Sequence, residues 1–510
     1  MIDPADSQRI LLIFPRTGQD VYGVNVGLPL GVLSLATMLE QAGFVPLILD
    51  ERVRGDFETH LRNNLSSRPL FVGISAKTGF QIKGGLFAAG IVRRTDPTIP
   101  LVWGGVHPSL VPDSTIQHPL VDMICLGEGE HTVVELAHCL AAGRSPEDIP
   151  GLILKKEDVS SRTAPRVPVE NLDDLPSPNY ELVNARDYIT IGHMMREPQL
   201  QLCTSRGCPY RCGYCYNLLF NQRKFRCQSA ARTFREIRRL HDDFGIRAIF
   251  FYDDYFFGDR RRIHELLELL EKSGLRMQFE VSCRVDYLDQ ADDALLQRLG
   301  DNGFRELLIG IESGNDDILR LMHKDITVAQ VLRVNRRLAQ TGIKCKYSFM
   351  AGFPGETEEQ MIDTMDLMCR LLEENPNASA TPLGIYTPYP GTDLFHKCLA
   401  AGLTNFPDNL EEWSDYNWVE ARHSYLDRRQ IRFLNRLNVL SRFFDPHAFQ
   451  RFGNRFLRPL IMLFYHVYHA IARFRLRHRF FAFMPETLLL NRFQQAYVDK
   501  AHRRLLRRRD

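Results

Sequence analysis

QLQLCTSRGCPYRCGYCYN, residues 199–217, carries the reading from which the rest of the chain can be placed. The alternating QLQL predicts a strand, and Cys208, Cys212 and Cys215 follow in the loop at its C-terminal end. Thiolates are the usual protein ligands of iron-sulfur clusters, and a cubane has four irons, so three cysteines leave one iron open. An open coordination position is what a metal needs if a substrate is to bind it, the distinction that separates catalytic from structural zinc. Pro209 and Gly213 let a short loop wrap around a bulky group. The rival is a structural zinc site, which requires a fourth ligand. Cys203 and Cys227 are the candidates, but Cys203 points back into the strand and Cys227 has no CxxC partner.

Downstream, the segments AIFFYDD (248–254), MQFEVSCRVD (277–286), ELLIGIESG (306–314), CKYSFMAGFPG (345–355) and PLGIYTPYPG (382–391) each read as a strand ending in polar or Gly-rich residues. Helical stretches such as IHELLELLEKSG (263–274) and EEQMIDTMDLMCRLLEE (358–374) lie between them. The rhythm predicts a whole or partial β/α barrel over 196–405, with chemistry at the C-terminal strand ends, where all these polar groups fall.

Upstream, ILLIF (10–14), PLILD (46–50), PLFVGIS (69–75) and LVWGG (101–105) alternate with amphipathic segments such as VLSLATMLEQAG (32–43). Buried parallel strands with crossover helices follow, so residues 1–150 are expected to form an α/β, doubly wound, Rossmann-like domain. Its ligand loops at the strand ends are FPRTGQD (14–20), GISAKTG (73–79, with Ser75), WGGVHPS (103–109) and LGEGE (126–130). Gly104, Gly105, Gly127 and Gly129 permit close approach of a large flat ligand. No GxGxxG is present, which counts against a dinucleotide. Residues 151–195, richer in Pro and polar groups, read as a linker.

After 405 the strand signal fades, and 406–510 reads as a basic helical extension in which Leu460, Phe464, Val467, Ile471 and Phe474 recur at helical spacing. With 44% hydrophobic and 25% charged residues and a formal net charge of only +2, the chain has the composition of a globular protein without a global field for nucleic acid. Eleven cysteines fit a metal site plus buried thiols. The start, MIDPADSQRILLIF, lacks a signal-peptide pattern, so a cytoplasmic protein is expected. No run of about 18 uncharged apolar residues occurs, so no membrane-spanning helix is expected; the basic, aromatic tail is expected to pack against the barrel, with covering of the active site or contact with an anionic membrane surface as the alternatives.

CxxxCxxC with Tyr214 before the last cysteine resembles the radical S-adenosylmethionine superfamily. The resemblance implies a [4Fe-4S] cluster whose open iron chelates S-adenosylmethionine and cleaves it reductively to a 5′-deoxyadenosyl radical. It further implies that Asp253 or Asp254 holds the methionine amino group, that Arg284 and Glu312 bind the carboxylate and ribose, and that Gly352, Gly355, Glu356, Pro390 and Gly391 form cofactor-approach loops. Turn chemistry or a salt bridge would explain each of these without function.

GLPLGVLSLATMLEQAG, WGGVHPS and LGEGE, lying ahead of that domain, resemble the cobalamin-binding domain of the cobalamin-dependent branch. That assigns Ser75, Gly104, Gly105, Gly127, Glu128 and Gly129 to the cofactor. The loop after the first strand lacks the DxHxxG pattern whose histidine ligates cobalt, so the resemblance implies a weak lower ligand or none, with His107 the nearest substitute. The function implied is methylation of an unactivated carbon in a small molecule, with electrons from a flavodoxin or ferredoxin; the apolar tail adds the expectation of a hydrophobic substrate. Oxidative cyclisation of the anaerobic porphyrin cyclase type, and a non-catalytic cobalamin or iron-sulfur sensor, are the alternatives.

Overall fold

Short apolar runs bounded by turn residues form the strands of two sheets. The computed structural model describes residues 8–20, 26–53, 55–157, 159–191, 197–416, 423–446, 458–482 and 484. In the first sheet β1 (Arg9–Phe14), β2 (Val45–Asp50), β3 (Val72–Ser75), β4 (Leu101–Gly104) and β5 (Met123–Cys125) are parallel, in the order β2-β1-β3-β4-β5. The strand order reverses between β1 and β3, which opens a crevice at their C-terminal ends. β6 (Leu152–Lys156) and β7 (Val159–Arg162) continue the sheet in antiparallel fashion past residue 150. Leu152, Ile153 and Leu154 supply the reason, an apolar triplet buried against β5 inside a stretch whose composition is otherwise that of a connector.

The second sheet holds β8 (Thr190–Ile191), β9 (Pro198–Leu202), β12 (Ala248–Phe251), β13 (Gln278–Cys283), β14 (Phe304–Glu312), β15 (Lys344–Ala351) and β16 (Ala378–Ala380) in that spatial order, with β17 (Gly384–Ile385) also pairing with β15. From β9 to β16 the strands are parallel and adjacent in chain order, the layout of a partial β/α barrel. A small hairpin, β10 (Ser205–Arg206) with β11 (Arg226–Cys227), stands at the end of β9.

Period-two alternation sorts the barrel residues by face. Leu200, Ile249, Phe279, Leu307 and Cys345 are buried on the helix side. The opposite face instead carries polar groups in register: Glu280 beside Glu306, Glu306 beside Lys344, and Lys346 beside Ser379. The half-barrel is therefore greasy outside and polar within. One core runs continuously from the first sheet into the barrel, while a second, around Trp103 and Trp413, closes the opposite face of the first sheet.

Three helices of the C-terminal extension are described: Leu410–Asp415, Arg428–Ser441 and Arg458–Arg477. The first returns to the N-terminal sheet, where the Gly79 N–H donates to the Trp413 carbonyl (3.1 Å). The other two pack on the barrel helix Glu358–Glu374. The terminal arginines lie outside the described residues.

Candidate functional site

The hairpin pairs Ser205 with Cys227 and Arg206 with Arg226, and so staples together the two ends of the loop that carries Cys208, Cys212 and Cys215. Within it the Cys215 N–H donates to the Cys212 carbonyl (3.0 Å), Gly213 N–H to the Met322 carbonyl (2.8 Å), and Leu394 N–H to the Gly213 carbonyl (2.9 Å). Two segments more than a hundred residues downstream thus bolt the CxxC half in place. All three cysteines are free thiols. Burial pushes the Cys215 thiol up to about 12 and raises that of Cys208, so a thiolate at either position calls for a cationic partner such as iron. Among the described residues no three His, Cys, Asp or Glu side chains converge on a single ion. Cys203 donates its thiol to the Ser205 carbonyl (3.3 Å).

The neighbouring strand ends divide into braces and cavity-facing groups. Asp253 is buried and its Oδ1 accepts from Thr204 N–H (2.8 Å) and Ser205 N–H, so that carboxylate anchors the start of the cysteine loop. Asp254 is exposed to the cavity described below; its carboxylate accepts from Gly207 N–H (3.0 Å) and the Tyr216 hydroxyl (3.2 Å). Arg284 lies 3.5 Å from the centroid of the Tyr210 ring and donates to Cys212 Sγ (3.5 Å), Asp286 Oδ1 (2.8 Å) and the Lys324 carbonyl (2.6 Å).

Glu312 sits at a register shift between β14 and β15 with φ of 75°, a conformation non-glycine residues rarely hold without compensation. Its Oε1 accepts from the Tyr214 hydroxyl (3.2 Å) and from Lys324 Nζ (3.1 Å), which also donates to Tyr214 (2.9 Å). Lys324 had no signal of its own in the sequence. Both ends of the Lys324–Glu312 pair are less than a tenth exposed. Lys324→Met is therefore expected to strand the Glu312 carboxylate at a cost of about 3–5 kcal/mol. Chemical denaturation measures this, and Lys324→Met combined with Glu312→Gln should recover most of the loss.

Gly352 adopts φ of +91°, and its N–H and that of Phe353 donate to Glu356 Oε2 at 2.6 and 3.0 Å. Burial lifts the Glu356 carboxyl to about 7 in the folded chain. Between the unfolded value near 4.3 and that raised value the native state binds more protons, so stability falls as pH rises, by about 3–4 kcal/mol in all, and levels off above 7. Denaturant midpoints at pH 5 and pH 8 test this, and Glu356→Gln should flatten the difference.

A cavity of about 360 Å³ lies at the C-terminal ends of the first sheet, where Ser75, Gly104, Gly105, Gly127, Glu128 and Gly129 line one side. Cys203, Ser205, Arg206, Tyr216 and Asp254, from the barrel's strand-end loops, line the other. The glycines matter for access: a side chain at Gly127 would meet no atom within 4 Å, and one at Gly104 would meet only Cys125 at 3.6 Å. Backbone is thus open to a flat ligand on that wall. Glu128 has a further partnership: it pairs with Arg206 (3.2 Å) and Arg226 (2.8 Å), while Glu130 accepts from Arg206 (2.5 Å) and Ser34 (2.8 Å). LGEGE and SRGC hence clamp the two domains beside the cysteines. Opposite charges in two strand-end loops were visible in the sequence, but their pairing was not.

His107 does not line this cavity. Its ring is buried edge-on against Trp413, with centroids 5.3 Å apart, and its Nδ1 shares a hydrogen bond with the Thr78 hydroxyl (3.0 Å). Burial pushes the imidazole down to about 3. This corrects the expectation of His107 beside a cofactor: the helix Val106–Leu110 turns the ring into the second core, away from the crevice.

The Radical SAM superfamily description matches residues 202–368, and the B12 binding domain description matches residues 23–137. The chain is 28% identical over 470 residues to the uncharacterized methyltransferase PH0819 of Pyrococcus horikoshii, covering 90% of this chain and 99% of that one. Two solved structures share the fold. The cobalamin-dependent S-adenosylmethionine radical enzyme OxsB, with aqua-cobalamin bound, superposes with a TM-score of 0.73 at 17% identity over 98% of this chain and 80% of its own. The radical S-adenosylmethionine methyltransferase TsrM of Kitasatospora setae, solved with tryptophan substrate and an aza analogue of S-adenosylmethionine, gives 0.63 at 22% identity over 78% of each chain.

Proposed function

We propose, from the premise that this chain belongs to the radical S-adenosylmethionine enzymes that carry a cobalamin-binding domain, that it methylates an unactivated carbon of a small-molecule substrate. The observation that carries the reading is the shared cavity, which brings the glycine-lined crevice of the first sheet against Arg206 and Tyr216, the residues that flank Cys208, Cys212 and Cys215. Two separate chemistries become useful to one substrate only when they meet at such a place. The methyltransferase name of the Pyrococcus horikoshii relative supports the same outcome.

When bound, a [4Fe-4S] cluster supplies reductive cleavage of S-adenosylmethionine to a 5′-deoxyadenosyl radical, and cobalamin supplies a methyl carrier. The chain's own residues do the rest. Cys208, Cys212 and Cys215 would hold the cluster, with Arg284 donating to Cys212 and the Tyr214–Glu312–Lys324 network fixing the loop from behind. Asp254 and Tyr216, on the cavity side, would orient the polar end of S-adenosylmethionine. Ser75, Gly104, Gly105, Gly127 and Gly129 would let the corrin approach the backbone, and the Glu128–Arg206 clamp would keep water from the joint. A one-electron protein donor of the flavodoxin or ferredoxin class completes the requirement.

Anaerobically reconstituted protein given methyl-deuterated S-adenosylmethionine and a substrate pool is expected to place the label in product and release 5′-deoxyadenosine alongside it. Unlabelled product would remove methylation, whereas no 5′-deoxyadenosine under reducing conditions would remove the radical reading as well.

A further inference from the structure

We propose that the outward face of the helix Arg458–Arg477 docks on an anionic lipid bilayer. This helix buries Tyr465, Ala472 and Leu476 against the body of the protein, the ordinary use of an amphipathic face. It also presents a second apolar stripe outward: Leu460, Leu463, Phe464, Val467, Ile471 and Phe474 are 38–65% exposed. Their spacing of three and four residues aligns them along one side of a helix about 30 Å long. A helix apolar on two sides is stable in water only when both sides are covered.

Charge selects the covering. No Asp or Glu occurs between Asp445 and Glu486, and from Pro446 to Asp510 the sequence holds fourteen Lys and Arg against three Asp and Glu. In a chain whose net charge is +2, the preceding part is therefore net negative and the basic excess belongs to this C-terminal stretch of the sequence; on the helix and just after it, Arg473 and Arg479 pair with Glu373 and Asp366 of the barrel helix, and Arg477 is exposed. A second copy docked through the same patch would bring two such segments together, a repulsive arrangement. Nucleic acid would suit the arginines but leave the hydrocarbon stripe in water. A surface that offers anionic headgroups above an acyl boundary satisfies both features. The helix is not a membrane span, since no described helix is long and apolar enough to cross a bilayer. It would lie in the headgroup plane, a placement that holds whichever reaction the cavity performs.

The experiment is flotation of the full chain with vesicles of phosphatidylcholine, with and without phosphatidylglycerol. The expected result is capture by the phosphatidylglycerol vesicles, weakened by added salt, and at least about tenfold weaker binding for Leu463→Glu combined with Val467→Glu. Both side chains are exposed, so thermal unfolding of the variant should match the parent; should it not, Phe474→Ser reads the same stripe at its far end. Capture that is equal for parent and stripe variant overturns the proposal. So does absence of capture, including the case in which the parent is a dimer that the variant dissolves, which would give the stripe to a second copy.

Discussion

Cys212→Ala is expected to abolish the visible absorbance of the reconstituted cluster and to reduce 5′-deoxyadenosine formation to background. Loss of an outer-shell partner costs a metal site about 10- to 100-fold, and removing one of only three protein ligands should exceed that range. Cys212 is buried, receives a hydrogen bond from Arg284 and is linked through its carbonyl to the Cys215 N–H, so it lies at the middle of the loop's internal bonding. Cys212→Ser, which keeps the volume, separates ligation from packing: it should fail like alanine if the thiolate binds iron and behave like the parent if the thiol only fills space. Cys203→Ala is the control. Its thiol donates to a neighbouring carbonyl and is expected to leave iron content unchanged. A Cys212→Ala protein that retains its cluster, or a parent that binds one zinc in place of iron, would remove the reading.

Gly104→Leu is expected to separate the two cofactors. A Cβ at Gly104 would sit 3.6 Å from the Cys125 carbonyl and 3.7 Å from Cys125 Cβ, ordinary contact distances, so the fold accepts a side chain there. The rest of the leucine would project into the crevice. Overpacking costs about 1–3 kcal/mol where neighbours can yield, or about 5- to 150-fold in affinity, and a rigid macrocycle has little room to yield. The variant should therefore lose bound cobalamin, read from its absorption spectrum, while 5′-deoxyadenosine formation persists and product methylation stops. Gly105 is a poorer probe, because its φ of +96° and an approach of 3.0 Å to the Ala76 carbonyl would damage the loop itself. Undiminished cobalamin in Gly104→Leu would place the corrin elsewhere.

Both sheets were legible from periodicity, because a strand's alternation and the turn residues that bound it are consecutive in the chain. The limits of that reading follow from the same cause. LILKK, next to the last strand of the first sheet, has too little context to outweigh its Pro-rich surroundings, and its burial against β5 is settled by a partner about thirty residues away. Leu410–Asp415 gave no hint that it would return to the N-terminal sheet and bury Trp413 beside His107, a contact spanning roughly three hundred residues.

The three cysteines proposed to hold the cluster were picked out by local spacing: three thiols within eight residues, after a strand and among turn-forming residues, can be read before the fold is known. Which acids and bases serve as supports was a matter of assembly. Asp253 and Asp254 are neighbours in sequence, yet one is buried under the cysteine loop and the other faces the cavity. Glu312 finds Lys324 and Tyr214, and Glu128 finds Arg206 and Arg226, only because distant strand ends converge. A side chain's type is written in one position, but its partner and its dielectric surroundings come from every element packed around it.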